Sequence, residues 1–157
     1  MKWHVTLTLG AALGLAPSLH HPAPPADESA EVLAVVETLF DGMRAADSAL
    51  VRSAFHREAR FVSVAEREGS VQVRVEGVDR FVAAVTGATE EWDERLTSSE
   101  VRVDGRIASV WAEYRFYLGG EFSHCGVDSI ELVRAADGWK ITQLADTRRR
   151  EPCPELE

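Results

Sequence analysis

Apolar residues recur every three or four positions from Val32 to Met43. Val32, Val35, Val36, Leu39, Phe40 and Met43 form one stripe, as an amphipathic helix requires. Asp27 or Ser29 can cap its start. Ala46-Asp47-Ser48 breaks the stripe, and Asp47 can cap a second short helix carrying Leu50, Val51, Ala54 and Phe55. The spacing thus predicts a helical pair over roughly 28–57. The period then falls to two. Ala59, Phe61, Ser63 and Ala65 alternate with Arg60, Val62, Val64 and Glu66, and after Glu68-Gly69-Ser70 the alternation resumes with Val71, Val73 and Val75. Gly77 precedes a third helix with Phe81, Val82 and Val85, which Gly87 can end. Residues 96–103, 107–118, 123–134 and 138–147 read as four further strands, with hairpin signals at Asp104-Gly105 and Ala136-Asp137-Gly138. This order predicts an α+β fold, with three helices on one face of a strongly curved, mostly antiparallel sheet. Such a sheet closes into a cone with an internal cavity, where a ligand would sit.

Composition narrows the function classes. A chain of 157 residues with 45% hydrophobic residues supports one domain with a core, and its balance fits neither a disordered nor an integral membrane protein. Residues 27–157 hold 16 Lys+Arg against 26 Asp+Glu, a formal charge of −10. That surface repels phosphate backbones and excludes nucleic acid as an expected partner; Arg148-Arg149-Arg150 is too short a basic run to reverse it. The chain has no Asn, hence no N-glycosylation site.

The first residues read as an address. Lys2 supplies a positive charge, Val5 to Ala16 are uncharged and mostly apolar, and small residues, His and Pro follow to Pro25. This is a secretory layout, predicting a signal peptide and Pro/His linker over 1–26, cleaved near Ser18 or Ala26, and a secreted or periplasmic protein; a disordered tail is the alternative. The folded domain is expected over 27–150 and a C-terminal tail over 151–157. In an oxidising compartment Cys125 and Cys153 can pair and pin the tail to the sheet; otherwise they are two free thiols. No CxxC, HxH or HExxH spacing points to a metal, and no glycine-rich phosphate loop or GxSxG elbow is present, so no cofactor is expected.

Three separated segments carry a family resemblance: Ala46-Asp47 with Phe55-His56-Arg57-Glu58-Ala59-Arg60-Phe61, then His124-Cys125-Gly126-Val127-Asp128, then Gly138-Trp139-Lys140-Ile141 with Ala145-Asp146-Thr147-Arg148. Over about 28–150 the chain resembles the nuclear transport factor 2-like superfamily, with its cystatin-like architecture, and within it the bacterial branch called SnoaL-like or putative lumazine-binding. The resemblance implies a fold more firmly than an activity, because the superfamily includes isomerases, cyclases, dehydratases, hydrolases and non-catalytic binders. Its ketosteroid isomerases use a carboxylate base with a tyrosine and a protonated aspartic acid at the enolate oxygen. The position of the base falls on Ser63, which cannot replace a carboxylate, and that of the tyrosine near Leu39. Only the aspartic acid has a counterpart, Asp128, so the resemblance does not carry that reaction over.

Asp128 also stands out physically. It shares a strand face with Gly126, Ile130 and Leu132, and on the cavity side it would be a carboxyl among apolar neighbours, its pKa raised by desolvation. A structural tie to an arginine or backbone amides is the alternative. His56 can turn inward as its acid/base partner or cap a helix end. His124 lies on the same face, about 13 Å away along the strand. Tyr114, which shares a face with Val110, Ala112, Phe116 and Leu118, can offer a hydroxyl to a ligand or pack in the core. Trp92 can close the cone's mouth. Asp146 and Arg148 read as a structural ion pair. Three readings follow: an exported domain binding a small apolar or aromatic ligand through Tyr114, Trp92, Ser63, His124 and Phe116; a cyclase, dehydratase or isomerase using Asp128 and His56; or a homodimeric module pairing through an outer sheet face of Trp111, Glu113, Arg115 and Tyr117. The first is the reading adopted.

Overall fold

Helices and strands form where the apolar periods place them. The computed structural model describes residues 26–153, so the expected leader lies outside the described residues apart from Ala26. Helix α1 (Ala26–Arg44) buries Val32, Val36, Leu39, Phe40 and Met43. Helix α2 (Ser48–Ala54) begins at Asp47, whose carboxylate accepts from the N–H groups of Ala49 at 2.8 Å and Leu50 at 3.0 Å. Strands β1 (Phe55–Arg67) and β2 (Ser70–Gly77) form a hairpin, followed by α3 (Val78–Thr86), which buries Val78, Phe81, Val82 and Val85. Strands β3 (Trp92–Asp104), β4 (Ile107–Leu118), β5 (Glu121–Ala135) and β6 (Gly138–Arg148) complete the chain.

The six strands form one sheet in the order β2-β1-β6-β5-β4-β3. Every neighbouring pair is antiparallel except β1 and β6. Register breaks at Leu96/Ser98, Phe116/Tyr117 and Glu131/Leu132 fall in the antiparallel part, and such bulges bend strands and add twist. The sheet therefore curls around α1. Two boundaries differ from the sequence reading. α2 stops at Ala54 because β1 pairs with β6 from Phe55 onward, Phe55 lying opposite Ile141. β3 starts at Trp92 rather than 96, because Trp92, Asp93, Glu94 and Arg95 pair with Leu118, Tyr117, Phe116 and Arg115. Pairing overrides the polar character of this segment.

Two features brace β5 against β6 and the segment that follows it. Gly126 lies opposite Tyr114, and a Cβ there would come within 1.7 Å of the Thr147 carbonyl oxygen and 2.8 Å of the Tyr114 ring. Glycine is thus the residue that lets the ring cross β5 and donate its hydroxyl to the Thr147 carbonyl at 2.9 Å. One residue earlier, Cys125 is fully buried and disulfide-bonded to Cys153, with Cα atoms 5.8 Å apart. The Cys125 and Arg149 backbones exchange two hydrogen bonds of 2.9 Å, so the segment after β6 is fastened to β5 twice.

Gly126→Ala is expected to lower stability by about 3 kcal/mol, since a backbone carbonyl cannot yield to the new methyl; thermal melts would show it, and an unchanged melting temperature would refute the close packing. Reducing the bridge, which spans 28 residues of sequence, is expected to remove roughly 3.5 kcal/mol in the chain-entropy account. Denaturant titration of oxidised and reduced protein measures that difference directly.

Candidate functional site

The curled sheet and the helices enclose a cavity of about 650 Å³. Leu39, Phe40 and Met43 of α1 line one side of it. Opposite runs a chain of aromatic contacts: Phe61 stacks on Phe81 with centroids 4.5 Å apart, Phe81 meets Trp92 at 6.4 Å, Trp92 meets Phe116 edge-on at 5.8 Å, and Phe116 stacks on His124 at 4.9 Å. All five rings line the cavity. Flat faces and edges at these spacings suit a planar, largely apolar guest.

The polar side of the cavity is a cluster of carboxyls. Asp128, Glu94 and Asp146 all line it, with Arg148 beside them. Asp128 is 1% exposed and lies opposite Asp146 across the β5–β6 pair. Burial pushes the Asp128 carboxyl well above the usual carboxylate range, and the negative charge of Glu94 and Asp146 raises it further. Burial likewise raises Glu94, to about 7, even though its carboxylate accepts a hydrogen bond from Asp128. Of the two, Asp128 holds its proton the more strongly, and Glu94 accepts the hydrogen bond. Asp146 takes the guanidinium of Arg148, Nε at 2.5 Å from Oδ2. One oxygen of Asp128 and one of Asp146 remain buried without a protein hydrogen-bond partner. Among the described residues, no three His, Cys, Asp or Glu side chains are placed to hold a metal ion together.

Glu94 is positioned by its neighbours. Its backbone carbonyl accepts from Arg44 at 3.5 Å, and the adjacent buried Asp93 pairs with Arg44 at 3.3 Å and with Arg95 at 2.5 Å. The end of α1 thereby fixes the start of β3. Glu94 was not identified from sequence, because Asp93-Glu94-Arg95 reads as a charged loop. Extending the alternation back from Leu96 to Glu94 and Trp92 is the signal that would have found it.

The expected site residues divide. Asp128, Trp92, Phe116 and His124 line the cavity, and so does Asp146, together with its expected partner Arg148. His124 is neutral: burial, with the positive charge of Arg148 and Arg150, lowers its pKa to about 4. Three expectations need correction. His56 is not a cavity residue; it opens β1, and its Nδ1 accepts the Glu58 N–H at 3.3 Å, so the expected Asp128–His56 pair is not assembled. Glu94 stands where His56 was expected. Tyr114 is buried behind the cavity surface rather than on it, since the missing side chain of Gly126 draws its ring across β5 to Thr147. Ser63 lies between Phe61 and Ala65, which line the cavity, but is not itself among the lining residues. On the outer face Trp111 is 58% exposed. Glu113 there accepts from Ser98 at 3.1 Å, Arg115 donates to the Tyr117 hydroxyl at 3.2 Å, and Arg95 stacks over the Tyr117 ring.

Known structures share this architecture. An NTF2-like protein of unknown function from Shewanella baltica superposes with a TM-score of 0.63 at 13% identity, covering 83% of this chain and 100% of its own. A protein described as a putative dehydratase of the NTF2-like family from Streptomyces avermitilis gives 0.62 at 18%, covering 80% and 99%. One described as a putative aromatic ring hydroxylase from Novosphingobium aromaticivorans gives 0.61 at 18%, covering 80% and 91%. At these identities the likeness establishes the fold alone. No curated protein matches the chain. A family model described as "Putative lumazine-binding" matches residues 27–144, which is most of the described domain. The chain belongs to that "putative lumazine-binding" family, and it has the fold of the NTF2-like structures.

Proposed function

We propose that this protein is an exported small-molecule-binding domain whose cavity holds a flat, largely aromatic ligand by its faces and reads one polar edge of it with Asp128 and Glu94. The observation that carries this is a buried oxygen of Asp128 left unpartnered in an aromatic-walled cavity that Glu94 also lines, burial favouring the protonated form of both carboxyls. A buried polar atom without a partner costs on the order of 1–3 kcal/mol, which a ligand making that hydrogen bond would recover. A carboxylic acid next to a carboxylate offers a donor and an acceptor side by side, which complements a ring edge carrying a carbonyl next to an N–H. Lactam-bearing heteroaromatic rings, the class to which the family's description points, have such an edge. The Cys125–Cys153 bridge and the charged-then-apolar start of the sequence support export. Pairing of two copies through the outer face is part of the same reading, motivated by Val71, Val73, Val75 and Trp111, each more than half exposed.

The shared proton favours one further reading. Asp128 and Glu94 could act as acid and base on the bound ligand, the role expected of Asp128 and His56. Under it, Glu94→Gln abolishes turnover while ligand is retained; equal turnover in the variant removes it.

Native mass spectrometry of the protein purified from its own host is expected to show a dimer carrying a small aromatic molecule. Asp128→Leu should weaken its retention at least tenfold and Asp128→Asn less than threefold, because the amide keeps a neutral donor and acceptor. A cavity that is empty in every preparation overturns the proposal. Glu94 also sets a pH dependence. Its folded pKa lies above that of the unfolded chain, so the native state binds the extra proton between about pH 4.5 and 7, and stability from this group falls as pH rises through that window. His124, with a lowered pKa, acts in the opposite direction. The comparison is therefore wild type against Glu94→Gln: their difference in unfolding free energy should shift against the wild type by on the order of 2–3 kcal/mol from pH 5 to 8. Parallel pH profiles would show that Glu94 is not perturbed.

A further inference from the structure

The mouth of the cavity has the opposite character to its floor. Arg67, Arg149 and Arg150 line it together with Arg148, against one acid at the rim, Glu66. Arg148 is committed to Asp146. Among the described residues, no carboxylate lies within ion-pairing distance of Arg67, Arg149 or Arg150. The parallel pairing of β1 and β6 explains how the charges meet: Ala65 lies beside Arg148, so two residues further on Arg67 and Arg150 leave the same end of the pair on the cavity side. Like charges carried side by side on neighbouring strands repel, and this chain has 26 acidic residues to choose neutralising partners from. The disulfide and the Cys125–Arg149 bridge hold the arginine-bearing segment in place, and Arg149 Nε donates to the Pro152 carbonyl at 2.8 Å, which orients its guanidinium. Arg149 and Arg150 thus sit on a fastened segment rather than a trailing one.

We propose that the ligand is an amphipathic anion: an aromatic body held by the cavity walls, with a carboxylate, sulfonate or phosphate held at the mouth by Arg67, Arg149 and Arg150. This rests on the ligand-binding reading above and adds the ligand's charge and orientation. The acidic floor repels an anion and the basic mouth attracts it, so the ligand enters with its neutral hydrogen-bonding edge first. Planar guanidiniums suit oxyanions, which they can grip through two parallel N–H bonds. The attraction is local. The chain's net charge of −9 repels anions at long range, and screening confines the pull of the mouth to roughly 8–10 Å at physiological salt.

The test uses two fluorescent probes that share a ring system, 1-anilinonaphthalene-8-sulfonate and its uncharged parent N-phenyl-1-naphthylamine, titrated into the intact oxidised protein. The sulfonate is expected to bind at least tenfold more tightly at 50 mM salt and to lose most of that advantage at 500 mM. Arg67→Gln and Arg150→Gln should each weaken the sulfonate about fivefold and leave the neutral probe within twofold, while Arg102→Gln, away from the cavity, changes neither. If both probes bind equally and independently of salt, the anionic mouth is refuted and the aromatic cavity stands. If neither probe enters, the ligand-binding reading itself fails.

Discussion

The structure is organised around one constraint: on one side of the cavity Asp128, Glu94 and Asp146 gather around the Arg148 guanidinium, beside hydrocarbon and aromatic walls. Full ionisation of all three acids there would leave a net negative charge away from water, which low-dielectric surroundings penalise steeply. The arrangement avoids this in two ways. Arg148 neutralises Asp146, and Asp128 stays protonated and donates to Glu94. Raising Glu94 from 4.5 to about 7 corresponds to roughly 3 kcal/mol against its ionisation, a sizeable fraction of a domain's net stability. A group carried at that cost for packing alone would be better replaced by leucine. Its presence is what the ligand-binding proposal accounts for.

The scaffold around the cluster follows from the need to bring β3 over β5. Glu94 lies beside Phe116, and Phe116 beside His124, four residues along β5 from Asp128. In a flat sheet the two carboxyls would lie far beyond hydrogen-bonding reach. The bulges curl the strands, α1 fills the hollow, and Arg44 ties its end to the β3 backbone and to Asp93. Gly126 has a corresponding role underneath: by leaving room for Tyr114, it lets one aromatic residue brace β4 against β6 beneath the site.

Much of this could be read from the chain. The helical stripe, the Asp47 cap, the strand alternation and the hairpin glycines are local signals, and local periodicity carries them reliably. Asp128 was legible for the same reason, as a charged residue on an apolar strand face. Glu94 was not, because its strand is defined by pairing with residues 115–118 and not by its own composition. The inward role given to His56 failed on geometry: α2 ends at Ala54, so the histidine is already the second residue of β1, outside the cavity lining. Tyr114 was read on the correct face, either offering its hydroxyl to a ligand or packing in the core, and it takes the second place. Alternation gives parity; it does not reveal that a glycine on the next strand lets a ring sink through. The basic mouth was visible as an arginine triplet, yet its meaning depended on a parallel pairing that no hairpin signal announces.

The distribution of charge also separates this chain from a purely structural account of its acids. Surface ion pairs elsewhere are ordinary. Arg102 meets Glu100 two residues away in solvent, a pair that contributes little, and exposed Arg80 of α3 reaches Glu76 near the end of β2. Around the cavity the pattern inverts: Asp128 and Asp146 are buried at the floor, and among the described residues no carboxylate lies within ion-pairing distance of Arg67, Arg149 or Arg150 at the mouth. Random placement in an acidic protein would put acids beside those arginines. Keeping the two signs apart across one cavity creates a dipole along its axis, and the field of a dipole orients a guest before any specific contact is made. Charge separation, aromatic faces and a shared proton each constrain a different part of a ligand, and the three constraints are compatible with one molecule.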